Sequence, residues 1–161
     1  MLVPKTYTVP LSFSARKFYL EVLRPELVEI DYEAVMSSKE RLRSVFASQT
    51  EWPRDDMTLL ENKNDLIRHQ REFENREAFA YSIFTPDRQE YVGCVYINPT
   101  KVQKYDTEVF LWVTDEYIEA EEQLLSTMKT WLSDEWPFQA IGFPGRDIPW
   151  HDWELLDRDN I

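Results

Sequence analysis

Hydrophobic positions recur along this chain with strand and helix periods, and each run marks an element. Residues 17–23 (KFYLEVL) alternate and are rich in Phe, Tyr, Leu and Val, which predicts a strand ended by Arg24-Pro25. Ser37 with Glu40 three residues on predicts a capping box for a helix whose Leu42, Val45 and Phe46 share one face, interrupted by Trp52-Pro53-Arg54-Asp55. Thr58 with Glu61 opens a second helix, in which Leu59, Leu66 and Phe73 recur at sevens beside Leu60 and Ile67. Three strands follow, over 78–84, 91–97 and 107–114, joined by the turn Pro86-Asp87-Arg88 and by a connection that starts at Asn98-Pro99. Such short joins predict an antiparallel meander.

The clearest helix carries Leu124, Leu125, Met128, Trp131 and Leu132 on one stripe and stops at Pro137. The apolar run 138–143 predicts a buried strand, parallel to its predecessor through this helical crossover. Pro144-Gly145 turns the chain into a short aromatic tail containing Trp150 and Trp153. The order β-α-α-β-β-β-α-β predicts an α/β (α+β) architecture: a mixed, mostly antiparallel sheet with helices on both faces and one splayed parallel strand pair. No repeat or Gly/Ser linker divides it, so residues 17–161 are expected to form one domain behind an N-terminal extension, 1–16.

Composition narrows the chemistry. With 161 residues, 43% of them hydrophobic, the chain has the size and apolar content of one folded domain. Its 3 glycines, Gly93, Gly142 and Gly145, supply no closely spaced set for a P-loop or dinucleotide fingerprint, where backbone must approach phosphate without a Cβ in the way. The single cysteine, Cys94, cannot form an internal disulfide, and with only His69 and His151 beside it a zinc site is not expected. No apolar run approaches the ~20 residues of a bilayer span, and the first residues lack a signal pattern, so a cytoplasmic protein without membrane contact is expected. A net charge of −12 repels phosphate backbones, which argues against nucleic acid as a partner and favours cationic molecules or basic segments.

The ordered set of strands resembles the GNAT-type N-acetyltransferase superfamily. The matching pieces are Tyr19-Leu20-Glu21-Val22-Leu23-Arg24-Pro25 at its first strand, YVGCVYINP (91–99) at its third, EVFLWVTDEY (108–117) at and beyond its fourth, and the helix after that; together they span roughly residues 17 to 143. The resemblance implies acyl transfer from acetyl-CoA to an amine, either a small molecule or a peptide. It also implies that the cofactor's pantetheine lies along the fourth strand and its pyrophosphate at the next helix's N-terminus, so that Trp112, Val113, Thr114 and Gln123 become the cofactor-binding expectations. Glu108 is then the candidate base and Tyr96 the candidate proton donor to the leaving thiolate. A solvent-facing glutamate and a packing tyrosine with its hydroxyl in water are the plainer readings of the same residues.

Two departures stand out. The superfamily's amide cradle usually reads Arg/Gln-x-x-Gly-x-Gly/Ala, whereas here Asp115-Glu116-Tyr117-Ile118-Glu119-Ala120-Glu121-Glu122-Gln123 has no glycine and five carboxylates. Two like charges ~5–8 Å apart repel by about 2–3 kcal/mol at an effective dielectric near 20. After Phe143 little chain remains for the family's last helix and two strands, and its terminal tyrosine has no counterpart. The alternating stretch 6–13 (TYTVPLSF), or a second subunit in a homodimer, would cover the exposed edge.

Other residues invite plainer accounts beside functional ones. His69 reads as a partly buried histidine, His151-Asp152 as neighbours whose side chains diverge, and Cys94 as inert packing. Arg146 is either an anion clamp or an ion-pair partner for the abundant carboxylates. Trp112, Trp131, Trp136, Trp150 and Trp153 are expected as core plus interface. Three functions follow: an acyl-CoA-dependent N-acetyltransferase, a non-catalytic binding or dimerisation module on the same fold, or an acidic mimic of nucleic acid.

Overall fold

The structure, a computed structural model, describes residues 1–158. Apolar runs form strands because a sheet covered on both faces needs side chains that can be buried in both directions. β1 (Ser12–Ser14), β2 (Tyr19–Val22), β3 (Phe79–Phe84), β4 (Tyr91–Asn98), β5 (Thr107–Val113) and β6 (Ile141–Gly142) form one sheet in chain order. β1 to β5 pair antiparallel and β6 runs parallel to β5, as the pattern predicts. Helices α1 (Val28–Ser37), α2 (Lys39–Leu42) and α3 (Leu59–Glu74) lie over one face, α4 (Glu121–Glu135) over the other, and α5 (Trp150–Arg158) follows β6.

Period-2 alternation sorts β5 between two cores. Val109, Leu111 and Val113 pack with Leu124, Met128 and Trp131 of α4, whereas Phe110 and Trp112 pack with Leu66, Val35 and Leu42 on the opposite face. A bulge in β4 adjusts the register, since Ile83 opposes Gly93 while Phe84 opposes Tyr91. Gly93 is required there, because a Cβ would run into the backbone oxygen of Trp112.

Ser37 is not a helix N-cap. It is the last residue of α1, and its Oγ donates back to the Ala34 carbonyl at 3.0 Å. α1 escaped the hydrophobic pattern because its inward face carries Asp31 beside Ala34 and Val35, and a carboxylate in an apolar stripe erases the helical period. The helix expected around Leu42 shrinks to α2, with Val45 and Phe46 in the irregular segment after it. On α3 the Thr58–Glu61 capping box forms, but the buried stripe is Asn62, Leu66 and Phe73, while Leu59, Leu60 and Ile67 are exposed.

The run 138–143 pairs only at Ile141–Gly142. Phe138 stacks on Trp136 instead, and the Asp106 carboxylate accepts from the Gln139 and Ala140 amides at 2.7 and 2.9 Å. The aromatic tail is a helix, α5, whose buried Trp153 lies against Gly142. From the stretch 6–13, β1 pairs with β2, at the opposite edge of the sheet from β6. Tyr7, Val9 and Phe13 pack on the α4-side core, Phe13 stacking on Trp131 at 4.5 Å.

Candidate functional site

β5 and β6 pair only through Thr107 with Ile141 and Glu108 with Gly142. Past Glu108 the strands part, and the chain turns away through Pro144 and Gly145. Gly145 has φ 75°, and a Cβ there would strike the Trp150 indole. The opening is a cavity of about 340 Å³, walled by Trp112, Trp150 and Pro144, with Arg41, Glu121 and Arg146 at its polar end. Trp150 stacks over Phe110 with rings 10° from parallel.

An ion-pair network fills that end. Arg41 reaches from α2 and donates to Asp115 Oδ1 at 2.7 Å, to Glu121 Oε2 at 2.9 Å and to the Val113 carbonyl at 3.0 Å. Arg146 pairs with the other oxygen of Glu121 and donates to the Leu111 carbonyl at 2.8 Å. Two guanidiniums therefore converge on one carboxylate and cover two β5 carbonyls that point into the cleft. Of the two accounts of Arg146, the ion pair is the one formed. The segment ahead of α4 is a 3-10 turn over Asp115–Ala120, and α4 begins at Glu121 with no side-chain cap.

The six residues singled out for function fall in different surroundings. Val113 meets Arg41 through its carbonyl, and Trp112 walls the cleft. Thr114 is buried, and its Oγ1 finds no hydrogen-bond partner. Gln123 is exposed on α4. Glu108 is half-buried where β5 still pairs with β6, opposite Asn98, and does not line the cleft; burial pushes its carboxyl up against the lowering effect of a Thr100 hydrogen bond. Tyr96 does not hold its hydroxyl in water. It is buried, its oxygen accepts from Trp112 Nε1 at 2.8 Å, and burial raises its phenol well above the ordinary value.

That Tyr96–Trp112 bond separates the cleft from a second cavity, of about 290 Å³, over the α1 and α3 face. Phe46, Trp52 and Tyr96 give it aromatic walls, while Asp31, Asp65, His69 and Asn98 give it polar ones. Asp31 accepts from Tyr91 Oη at 2.5 Å, from Asn62 Nδ2 at 2.9 Å and, more weakly, from Cys94 Sγ at 3.5 Å. Burial drives its carboxyl up, and those three donors pull it down. Cys94 is buried as expected but belongs to this polar cluster, with its thiol pushed well up by burial. His69 is pushed down to about 4 by burial and by the charge of Arg68, so it sits neutral against the Tyr96 ring.

His151 and Asp152 are exposed on α5. Trp131 and Trp136 belong to the α4-side core. Asp31, Arg41 and Glu121 carried no distinct sequence signal: a buried carboxylate looks like any polar break, and Arg41 meets Glu121 across eighty positions of chain. Among the described residues no group of three or more His, Cys, Asp or Glu is placed to hold a metal ion, and no helix is long and apolar enough to cross a membrane.

No protein-family model and no curated protein matches this sequence. Solved structures do match in shape. The ribosomal-protein-S5-alanine acetyltransferase from Vibrio fischeri aligns with a TM-score of 0.58 at 13% identity, over 76% of this chain and 67% of its own. RimL, a ribosomal L7/L12 alpha-N-protein acetyltransferase in complex with coenzyme A, aligns at 0.58 and 16%, over 76% and 66%. The microcin C7 self-immunity acetyltransferase MccE, in complex with acetyl-CoA and AMP, aligns at 0.56 and 12%, over 74% and 63%. The chain thus spans about two thirds of the length of these enzymes. Strand order, the crossover helix and the parting of β5 from β6 agree with that likeness: the chain has the fold of the GNAT-type N-acetyltransferase superfamily.

Proposed function

We propose that this protein transfers an acyl group from a CoA-type thioester to a small-molecule or peptide amine. One observation carries the reading: β5 and β6 part immediately after Glu108, and the cleft between them holds two guanidinium groups at its polar end. Acyl-CoA, when bound, supplies an activated thioester carbonyl. Arg41 and Arg146 would hold its phosphates by side chain where a glycine loop would use backbone amides, since guanidinium forks match phosphate oxygens. Trp112 and Trp150 exclude water from the cleft. Glu108, with its carboxyl raised by burial, would take the proton of the incoming ammonium, and Tyr96, kept protonated by burial in the wall beside Trp112, would give its proton to the thiolate that leaves as the new amide forms.

A second reading has its own observation. Glu121 already occupies both guanidiniums, as it would in a non-catalytic binding or dimerisation module on this fold. Calorimetric titration with acetyl-CoA at modest ionic strength separates the two. Acyl transfer predicts submillimolar binding to the wild type and about tenfold tighter binding to Glu121→Gln, which removes one competing negative charge. Silence from both proteins at millimolar cofactor would leave the binding module.

A further inference from the structure

We propose that the cavity over the α1 and α3 face binds an organic ammonium ion with a compact apolar body, its charge paired with Asp31 and its body held between Phe46, Trp52 and Tyr96. This proposal does not rest on the acyl-transfer reading. It starts from a carboxyl group that the fold leaves without a countercharge. Asp31 is only 3% exposed, and among the described residues no Lys, Arg or His lies within ion-pair distance of it. Its hydrogen-bond donors, Tyr91, Asn62 and Cys94, are all neutral. Isolating a carboxylate in this way is costly, and a cation from outside is the partner that offsets the cost.

The surrounding walls suit such a cation. Phe46 meets Tyr96 edge-on at 5.0 Å and Trp52 edge-on at 5.5 Å, so the lining offers both ring faces, whose negative potential attracts a cation, and ring edges, which suit an apolar body. The other charged groups in the lining do not replace the ligand: Arg68, the one cation there, is held by Asp65 at 3.7 Å and by Glu72 at 3.3 Å rather than by Asp31, and His69 is neutral. A volume of about 290 Å³ equals roughly ten water-sized groups, which is room for a small arylalkylamine.

Calorimetric titration of the protein with 2-phenylethylamine and with its uncharged near-isostere 2-phenylethanol tests this, with no thioester present. The expected result is at least about tenfold tighter binding of the amine to the wild type, reduced to within about twofold in Asp31→Asn. Trp52→Leu, a change in an irregular segment, should weaken the amine about fivefold while keeping its preference over the alcohol. Equal affinities for the two probes in the wild type, no heat from either at millimolar concentration, or a preference that survives in Asp31→Asn would overturn the proposal. Should Asp31→Asn not fold, the wild-type comparison and Trp52→Leu decide the matter. Neither acetyl-CoA binding nor turnover enters the measurement, so the two readings fail separately.

Discussion

In the cleft beside β5 every charged group faces an opposite charge: Arg41 and Arg146 share Glu121, and Arg41 also holds Asp115. Behind Tyr96, Asp31 faces only neutral donors. The cleft's ion pairs are partly open to water, with side chains of Arg41, Glu121 and Arg146 20–31% exposed. Pairs in that setting are worth little net free energy and rearrange cheaply. The Asp31 cluster is buried, so each of its hydrogen bonds is expensive to lose. The difference separates a site that can open for an anion from a seat that is rigid before any ligand arrives.

The sharpest way to break this contrast is to remove the wall between the two sites. Trp112→Ala deletes a side chain that is 1% exposed and takes away the indole hydrogen bond on Tyr96. A loss of about 4 kcal/mol is expected by urea unfolding, against about 1–2 kcal/mol for Trp112→Phe. Were the two variants equally stable, Trp112 would not be the partition that keeps the cleft and the Asp31 seat apart.

The frame that carries both sites was legible in the sequence; the polar contacts that define them were not. β4 and β5 could be read because their two covered faces demand apolar residues in succession, and α4 because its stripe is uninterrupted. α1 leaves no helical period in the sequence because Asp31 stands where an apolar residue would have completed its buried face. The orientation of α3 departs from its apolar pattern on similar grounds, with Asn62 buried while Leu60 and Ile67 are exposed. Arg41, Glu121 and Arg146 lie far apart in the chain, and no periodicity encodes a contact that only the parting of β5 from β6 creates. The five carboxylates after Thr114 were visible as a group, but not that one of them bridges two arginines.

A smaller effect sharpens the picture of the seat from its rim. His69 is pushed down to about 4 in the folded protein, first by burial and then by Arg68, while an unfolded histidine titrates near 6.5. The folded state therefore binds this proton more weakly. The stabilisation is complete above the unfolded value and is lost as pH falls from about 6.5 through 4. The wild type should lose up to about 3 kcal/mol over that interval relative to His69→Gln, read from paired urea curves at each pH. Parallel curves for the two proteins would mean that His69 reaches water and that the cavity is wetter than its lining implies.

The last effect is decided by its sign. Burial raises the Asp31 carboxyl, with the nearby Asp65 adding to the rise and hydrogen bonds from Tyr91, Asn62 and Cys94 opposing it. The folded state then holds the proton more tightly than the unfolded chain. The resulting stability is full below the ordinary aspartate value near 4 and is lost as pH rises through the folded value. Asparagine carries no charge at any pH, so Asp31→Asn should gain stability relative to the wild type as pH rises from 4 to 8. A flat difference would mean that hydrogen bonding outweighs burial and that the carboxylate is already content without a cation, which removes the motive for a ligand. Added 2-phenylethylamine should flatten the slope in the wild type alone, because an ammonium beside Asp31 favours the ionised form that burial disfavours.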